Sequence, residues 1–218
     1  MVLFMCLASL LQGQESKGGP VGFVRMLDAV SAGTGKLEFT LDGEAVRPAG
    51  YQLGNVTEGI ALKPAYYQVV FRMEGVKEFK AQVQVKAGDT TILIPFAEEI
   101  PATDNQPARW KIRILKLKQH ESEDKPTASF VSVSRDPELK VEIRQADGKW
   151  EAVFVKRLGI ARAEIKQSRG YLSVRCKGRE LSAVSVAAAG NFVSVLYDDE
   201  NGVLRSKTFQ DYKYLSAE

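Results

Sequence analysis

Residues 130–148 read FVSVSRDPELKVEIRQADG, and residues 23–43 read FVRMLDAVSAGTGKLEFTLDG. Each stretch opens on Phe-Val, runs as a strand, turns, alternates again and closes on Asp-Gly. The correspondence continues downstream. Leu53-Gly54 answers to Leu158-Gly159, Tyr67 to Tyr171, Gly75 to Gly178 and Ala87-Gly88 to Ala189-Gly190. The offset between the copies falls smoothly from 107 residues at Phe23/Phe130 to 102 at Gly88/Gly190. Small changes of loop length inside one shared fold produce such a drift, so the chain reads as a tandem repeat.

Each copy has the pattern of an all-β unit. Leu37, Phe39 and Leu41 alternate with Glu38 and Thr40, placing the apolar set on one face. Phe79, Ala81, Val83 and Val85 alternate with Lys80, Gln82, Gln84 and Lys86, as in a strand wet on one side. Asp42-Gly43 is a hairpin turn signal. The second copy reads as strands over Leu139–Arg144, Lys149–Val155, Gly170–Cys176 and Asn191–Tyr197. No long stretch keeps a 3.6-residue apolar period. The expected architecture is two tandem antiparallel β-sandwiches of immunoglobulin type, over residues 20–119 and 129–218.

The boundary between them has two candidates. Glu98–Pro107 (EEIPATDNQP) looks like a linker, with two prolines and no apolar period. Repeat logic moves the boundary on. Val203–Tyr212 trails the second copy, and Trp110–Gln119 is its counterpart in the first. The linker therefore falls at residues 120–128, around the charged run HESEDKPT. The flexible SAGTG loop at Ser31–Gly35 and a turn at Val76–Lys77 complete the reading of the first copy.

The Phe130–Gly148 opening resembles that of a widespread bacterial family of secreted β-sandwich repeats of unknown function. That family's later marks, a Gly-bearing strand and a Gly-x-Tyr strand, resemble Leu53-Gly54 with Lys63–Val69, and Leu158-Gly159 with Ser168–Val174. The first copy departs from the pattern by lacking a proline in its first turn, and the second by lacking one before Gly170. The resemblance implies an extracellular sandwich, often in tandem, and brings no catalytic residues with it.

The apolar run Val2–Leu11 (VLFMCLASLL) is ten residues long, and the first thirteen residues carry no charge. Such a run is too short to span a bilayer as a helix but matches a signal-peptide core. Residues 1–13 are expected to be a cleaved signal peptide, and the protein to be exported to the periplasm or beyond. Cys6 lies inside that run, leaving Cys176 as a lone thiol at a strand core position, without an intrachain disulfide.

Chemistry-bearing groups are few. His120 is the single histidine, which argues against imidazole-dependent catalysis and against a His/Cys metal site. Ser31–Lys36 lacks the glycine and Ser/Thr positions of a phosphate loop. Asp198-Asp199-Glu200-Asn201-Gly202 gathers three carboxylates but reads as a hairpin turn. No catalytic, cofactor or metal residues are expected.

Charge is uneven. Residues 14–108 hold 9 Lys/Arg against 12 Asp/Glu, and residues 109–218 hold 21 against 15. The sharpest basic feature is Arg109-Trp110-Lys111-Ile112-Arg113-Ile114-Leu115-Lys116-Leu117-Lys118. Its parity flips at Ile114-Leu115. A β-bulge there would bring Arg109, Lys111, Arg113, Lys116 and Lys118 onto one face able to bind a polyanion. The competing reading is edge-strand protection by cations.

The expected function is a non-catalytic extracellular or cell-envelope protein with a structural, adhesive or scaffolding role. Its partners would be envelope proteins or polysaccharides, with nucleic acid last. One alternative is a carbohydrate- or polyanion-binding module presenting some of Tyr51, Tyr66, Tyr67, Trp150 and Tyr171 on a flat face. The other is an enzyme of undefined chemistry.

Overall fold

The computed structural model describes residues 19–120, 126–167, 169–186, 191–211 and 214–217. The expected signal peptide and most of the expected linker lie outside them. The described residues form an all-β protein without helix, and accordingly no helix among them is long and apolar enough to cross a membrane.

The first half holds β1 (Gly22–Met26), β2 (Thr34–Leu41), β3 (Glu44–Ala45), β4 (Ile60–Leu62), β5 (Ala65–Glu74), β6 (Val76–Val85), β7 (Thr90–Ile100) and β8 (Arg109–His120). They form one curled sheet in the order β3-β2-β5-β6-β8-β7-β1-β4. Two residue pairs, Val76–Trp110 and Lys77–Lys111, link β6 to β8 and so join the two arms of the sheet. Inside it, Val24 and Met26 of β1, Leu37 and Phe39 of β2, Phe71 of β5 and Leu93 of β7 are buried together. The Phe39 and Phe71 rings stack with centroids 4.8 Å apart, which adds about 1 kcal/mol to the area they bury. Asp42 and Gly43 both take positive φ, 48° and 88°, as a two-residue hairpin turn requires. The turn expected at Val76–Lys77 falls one residue earlier, on Gly75 (φ 79°), so both residues enter β6.

The second half holds β9 (Thr127–Ser132), β10 (Glu138–Arg144), β11 (Trp150–Lys156), β12 (Ile160–Glu164), β13 (Gly170–Cys176), β14 (Arg179–Glu180), β15 (Val184–Val186), β16 (Asn191–Asp198), β17 (Leu204–Asp211) and β18 (Tyr214–Ala217). One sheet runs β11-β10-β13-β14, with β15 also on β13, and the other runs β12-β9-β16-β17. Phe130, Phe192 and Leu196 from one sheet meet Val141, Leu172 and Val174 from the other in a second core. Cys176 lies in this core, where burial pushes its thiol pKa up.

Six strand pairings recur between the halves. β1 lies antiparallel to β4 and parallel to β7, as β9 does to β12 and β16. β2 pairs with β3 and β5 as β10 pairs with β11 and β13. β5–β6 and β7–β8 match β13–β14 and β16–β17.

A third core joins the halves. Ile92, Ile94 and Phe96 of β7 and Leu115 and Leu117 of β8 pack with Val131 of β9 and with Val193, Val195 and Tyr197 of β16. Residues 92–97, 127–132 and 191–198 are consequently buried on both faces of their strands. The last strand tightens this union. β18 crosses back and pairs antiparallel with β8, from Tyr214–His120 to Ala217–Leu117.

Candidate functional site

The basic strand β8 lies at the junction of the halves. Its ladder with β7 runs in unbroken register from Ile92–Leu117 to Ile100–Arg109. There is no bulge at Ile114-Leu115, so the five cations do not share a face. Arg109, Lys111 and Arg113 lie on the side that continues as Leu115 and Leu117. Lys116 and Lys118 lie on the side that begins with Trp110, Ile112 and Ile114. Each side changes character where its surroundings change. The first is charged at the open end and apolar where it enters the shared core. The second is apolar over the first-half core and cationic beyond it.

Glu98 gathers the first set. Its carboxylate lies 2.9 Å from Lys111 Nζ, 3.1 Å from Arg113 Nη1 and 3.7 Å from Arg157 Nη2 of the second half. Burial pushes the Glu98 pKa up, but the hydrogen bonds from Lys111 and Arg113 outweigh it and hold the carboxyl below its ordinary range. Arg109 donates to Gln106 Oε1. Lys116 and Lys118, with Lys86, Gln84, Asp89, Thr90 and Thr91, line an opening of about 270 Å³. β8 is not a simple edge strand either, because β6 occupies its free side at one end and β18 at the other.

Other side chains bridge the junction. The Arg135 guanidinium stands 4.8 Å from the Trp110 ring centre. Arg25 Nη1 donates to the Gln210 carbonyl at 3.1 Å, and its guanidinium lies 4.6 Å from the Phe209 ring centre. Buried Asp28 accepts from the Val30 amide through Oδ1 at 2.9 Å, while its Oδ2 has no hydrogen-bond partner among the described residues. Desolvation pushes its pKa up to about 7 against that single amide bond. Across from it, burial first and the Asp28 charge second push the Tyr197 phenol pKa up, with Arg205 opposing and Asp199 adding.

Gly54 receives Tyr197. It has φ +80°, and a methyl placed there would overlap the Tyr197 hydroxyl. Gly54→Ala should therefore cost about 2 kcal/mol or more, from left-handed backbone strain plus displacement of the phenol. In Tyr197→Phe the same substitution should cost less, because the clashing atom is gone. A double-mutant cycle by urea unfolding measures the difference, and strict additivity would refute the contact.

The Asp198–Gly202 carboxylates diverge. Asp198 accepts from Ser134 Oγ and the Arg135 amide. Asp199 accepts from the Asn201 and Val203 amides and pairs with Arg205 at 2.8 Å. Among the described residues no group of three or more His, Cys, Asp or Glu could hold a metal ion. The Asp199-Glu200 turn and the loop Val30–Gly33 line one shallow cleft of about 350 Å³ between the halves, a proximity that sequence order does not suggest.

The candidate aromatics separate. Tyr51 is buried in the first core, and Tyr67 packs against that core with its hydroxyl on the Lys63 carbonyl. Tyr66 is exposed on β5. Trp150 and Tyr171 share the outer face of the β11-β10-β13 sheet. Phe154, which the sequence reading passed over, stands with them at 58% exposure. Its signal was available: Trp150, Ala152 and Phe154 alternate with the inward Val153 and Val155. The guanidinium of Arg175 lies 4.0 Å, and that of Arg144 5.5 Å, from the Trp150 ring centre. The sequence matches no protein-family model and no curated protein.

Proposed function

We propose that this chain is a non-catalytic protein of a bacterial cell envelope with a structural, adhesive or scaffolding role, built from two tandem immunoglobulin-like sandwiches. The six recurring strand pairings and the drifting sequence repeat support the tandem reading. The shared core of β7, β8, β9 and β16 carries the functional one. Ligand clefts commonly open between domains, but here much of that space is filled by Ile, Leu, Val and Phe side chains. Several carboxylates at the junction are engaged as well, Glu98 by three cations, Asp198 by Ser134 and Arg135, and Asp199 by its own turn and Arg205, while Asp28 is buried out of reach of solvent. The result is a single stiff body whose outer sheet faces are held at a fixed separation, which suits a spacer or adhesive element.

Export is expected from the Val2–Leu11 run. Expressed in a bacterial host with a C-terminal tag, the chain should be recovered from the periplasm or medium. Its new N-terminus, read by mass spectrometry, should lie shortly after Gln12-Gly13. An uncleaved chain confined to the cytoplasm would overturn the envelope reading.

A further inference from the structure

We propose that the outer face of the β11-β10-β13 sheet is a binding platform for a carboxylate-bearing polysaccharide, with Trp150 and Tyr171 as stacking surfaces and Arg144 as the carboxylate fork. The inference rests on the reading of the chain as an exported envelope module and gives that module a ligand class.

Strand register builds the platform. Arg144 stands between Trp150 on β11 and Ser173 on β13, and Glu142 between Ala152 and Arg175. Both ladders are continuous, so these side chains share one regular surface, while Leu139, Val141 and Ile143 of the same strand face the core. Tyr171 lies one outward position beyond Ser173 and is 74% exposed. Trp150 and Tyr171 are thus two strands apart and offset by two residues, which separates their backbones by about 12 Å. That is the scale of a short oligosaccharide rather than of one sugar. Ala152 leaves low ground between Trp150 and Phe154 along β11. Phe154 and Tyr171 are exposed and Trp150 is partly so, with the Arg175 guanidinium over one of its ring faces and the other left for a ligand, a grouping beyond the scattered exposure normal for a soluble surface.

Charge selects the ligand. Lys140, Arg144, Lys156 and Arg175 share the face with Glu138, Glu142 and Glu180 of β14. Glu142 is already engaged by Arg175 at 2.9 Å and Lys140 at 3.3 Å. Arg144 has no carboxylate partner among the described residues. Its Nη2 reaches Ser173 Oγ at 3.3 Å, and its guanidinium stands near the Trp150 ring. A planar guanidinium held beside an aromatic face is pre-shaped for a carboxylate on a stacked ring. A duplex nucleic acid would ask for a longer run of cations with phosphate spacing. The cations of β8 supply none of this face: Lys111 and Arg113 are bound to Glu98 at the junction.

The test uses the chain's two tryptophans. In Trp110→Phe, Trp150 is the single tryptophan reporter. Polygalacturonate and hyaluronate should change its emission saturably, and uncharged dextran should not. Arg144→Glu and Tyr171→Ala, each made in that background, should weaken the response about tenfold or more without shifting the unfolding midpoint. Lys116→Glu should leave it intact. Any of four results would overturn the proposal. These are no response to either acidic polymer, an equal response to dextran, full affinity in Arg144→Glu, or tighter binding of duplex DNA than of the acidic glycans at physiological salt. A change in emission with protein concentration alone would assign the face to a second copy of the chain and equally overturn it. Export and cleavage are scored separately. A cleaved, exported chain whose Trp150 ignores both glycans refutes this inference and leaves the envelope reading standing.

Discussion

Val195→Asp should split the thermal unfolding of this protein into two transitions. Val195 is fully buried in the core that joins the halves. A carboxylate there must either lose its hydration or take up a proton, and both oppose the packing of β16 against β7 and β8. Each half keeps its own core, built from other side chains, so the intact chain should melt in one transition and loss of the shared core should uncouple the two units. The gentler Leu117→Ala leaves a cavity in the same place, since Leu117 is fully buried. It should cost about 2–5 kcal/mol, which for a chain of this size lowers the melting temperature by roughly 5–15 °C. Leu172→Ala is the control. Leu172 belongs to the second-half core alone, so its loss should destabilise by a similar amount without separating the transitions. Calorimetry reads all three variants. A single undisturbed transition in Val195→Asp would mean that the halves do not depend on this core.

The second large effect concerns pH. Asp28 is fully buried, and its folded-state pKa is pushed up to about 7 from 3.8 by desolvation, against the one amide bond from Val30. Between those two values the folded protein holds a proton that the unfolded chain has released. Stability must therefore fall as pH rises through this window and level off above about pH 7. From pH 5 to pH 8 the loss through this one group amounts to roughly 2–3 kcal/mol. Asp28→Asn keeps an oxygen for the Val30 amide and cannot ionise. Its stability relative to the parent chain should thus improve by about that amount between pH 5 and pH 8, even if its amide hydrogens cost something at every pH. Asp28 in turn bears on Tyr197, whose phenol also feels Arg205 and Asp199. Because all are common to both chains, the difference isolates Asp28. Parallel urea titrations at the two pH values make the measurement, and equal pH slopes in parent and variant would refute the assignment.

The strand plan was legible because it depends on neighbours in sequence. Alternation placed Leu37, Phe39 and Leu41 inward, and Asp42-Gly43 announced its own turn. The union of the halves was less legible, because it depends on a partner a hundred residues away. A signal did exist. Residues 92–97 (ILIPFA) and 191–197 (NFVSVLY) depart from clean alternation, which is how strands covered on both faces read. Strand β8 shows the limit most clearly. Its change of parity at Ile114-Leu115 suggests a bulge when only one strand is in view. With the second half in place, no bulge is needed, since Leu115 and Leu117 occupy the same face as Arg109, Lys111 and Arg113 but meet apolar neighbours instead of water and Glu98. The outer platform was half legible. Trp150 and Tyr171 stood out by type, whereas Phe154 and Arg144 gained meaning only through the register of β10 with β11 and β13.

The return of β18 to β8 has a consequence for how the molecule is made. Residues 214–217 complete a sheet whose other strands all lie within residues 22–120. During synthesis the first half can close its own core long before those residues emerge from the ribosome. Until they do, Leu117–His120 present one row of unpaired amides and carbonyls, a template for any passing strand. A chain stalled or clipped before residue 214 would carry that open row permanently. A strand made after both halves is thus the one that seals the first unit to fold, so this edge is protected only once residues 214–217 have emerged.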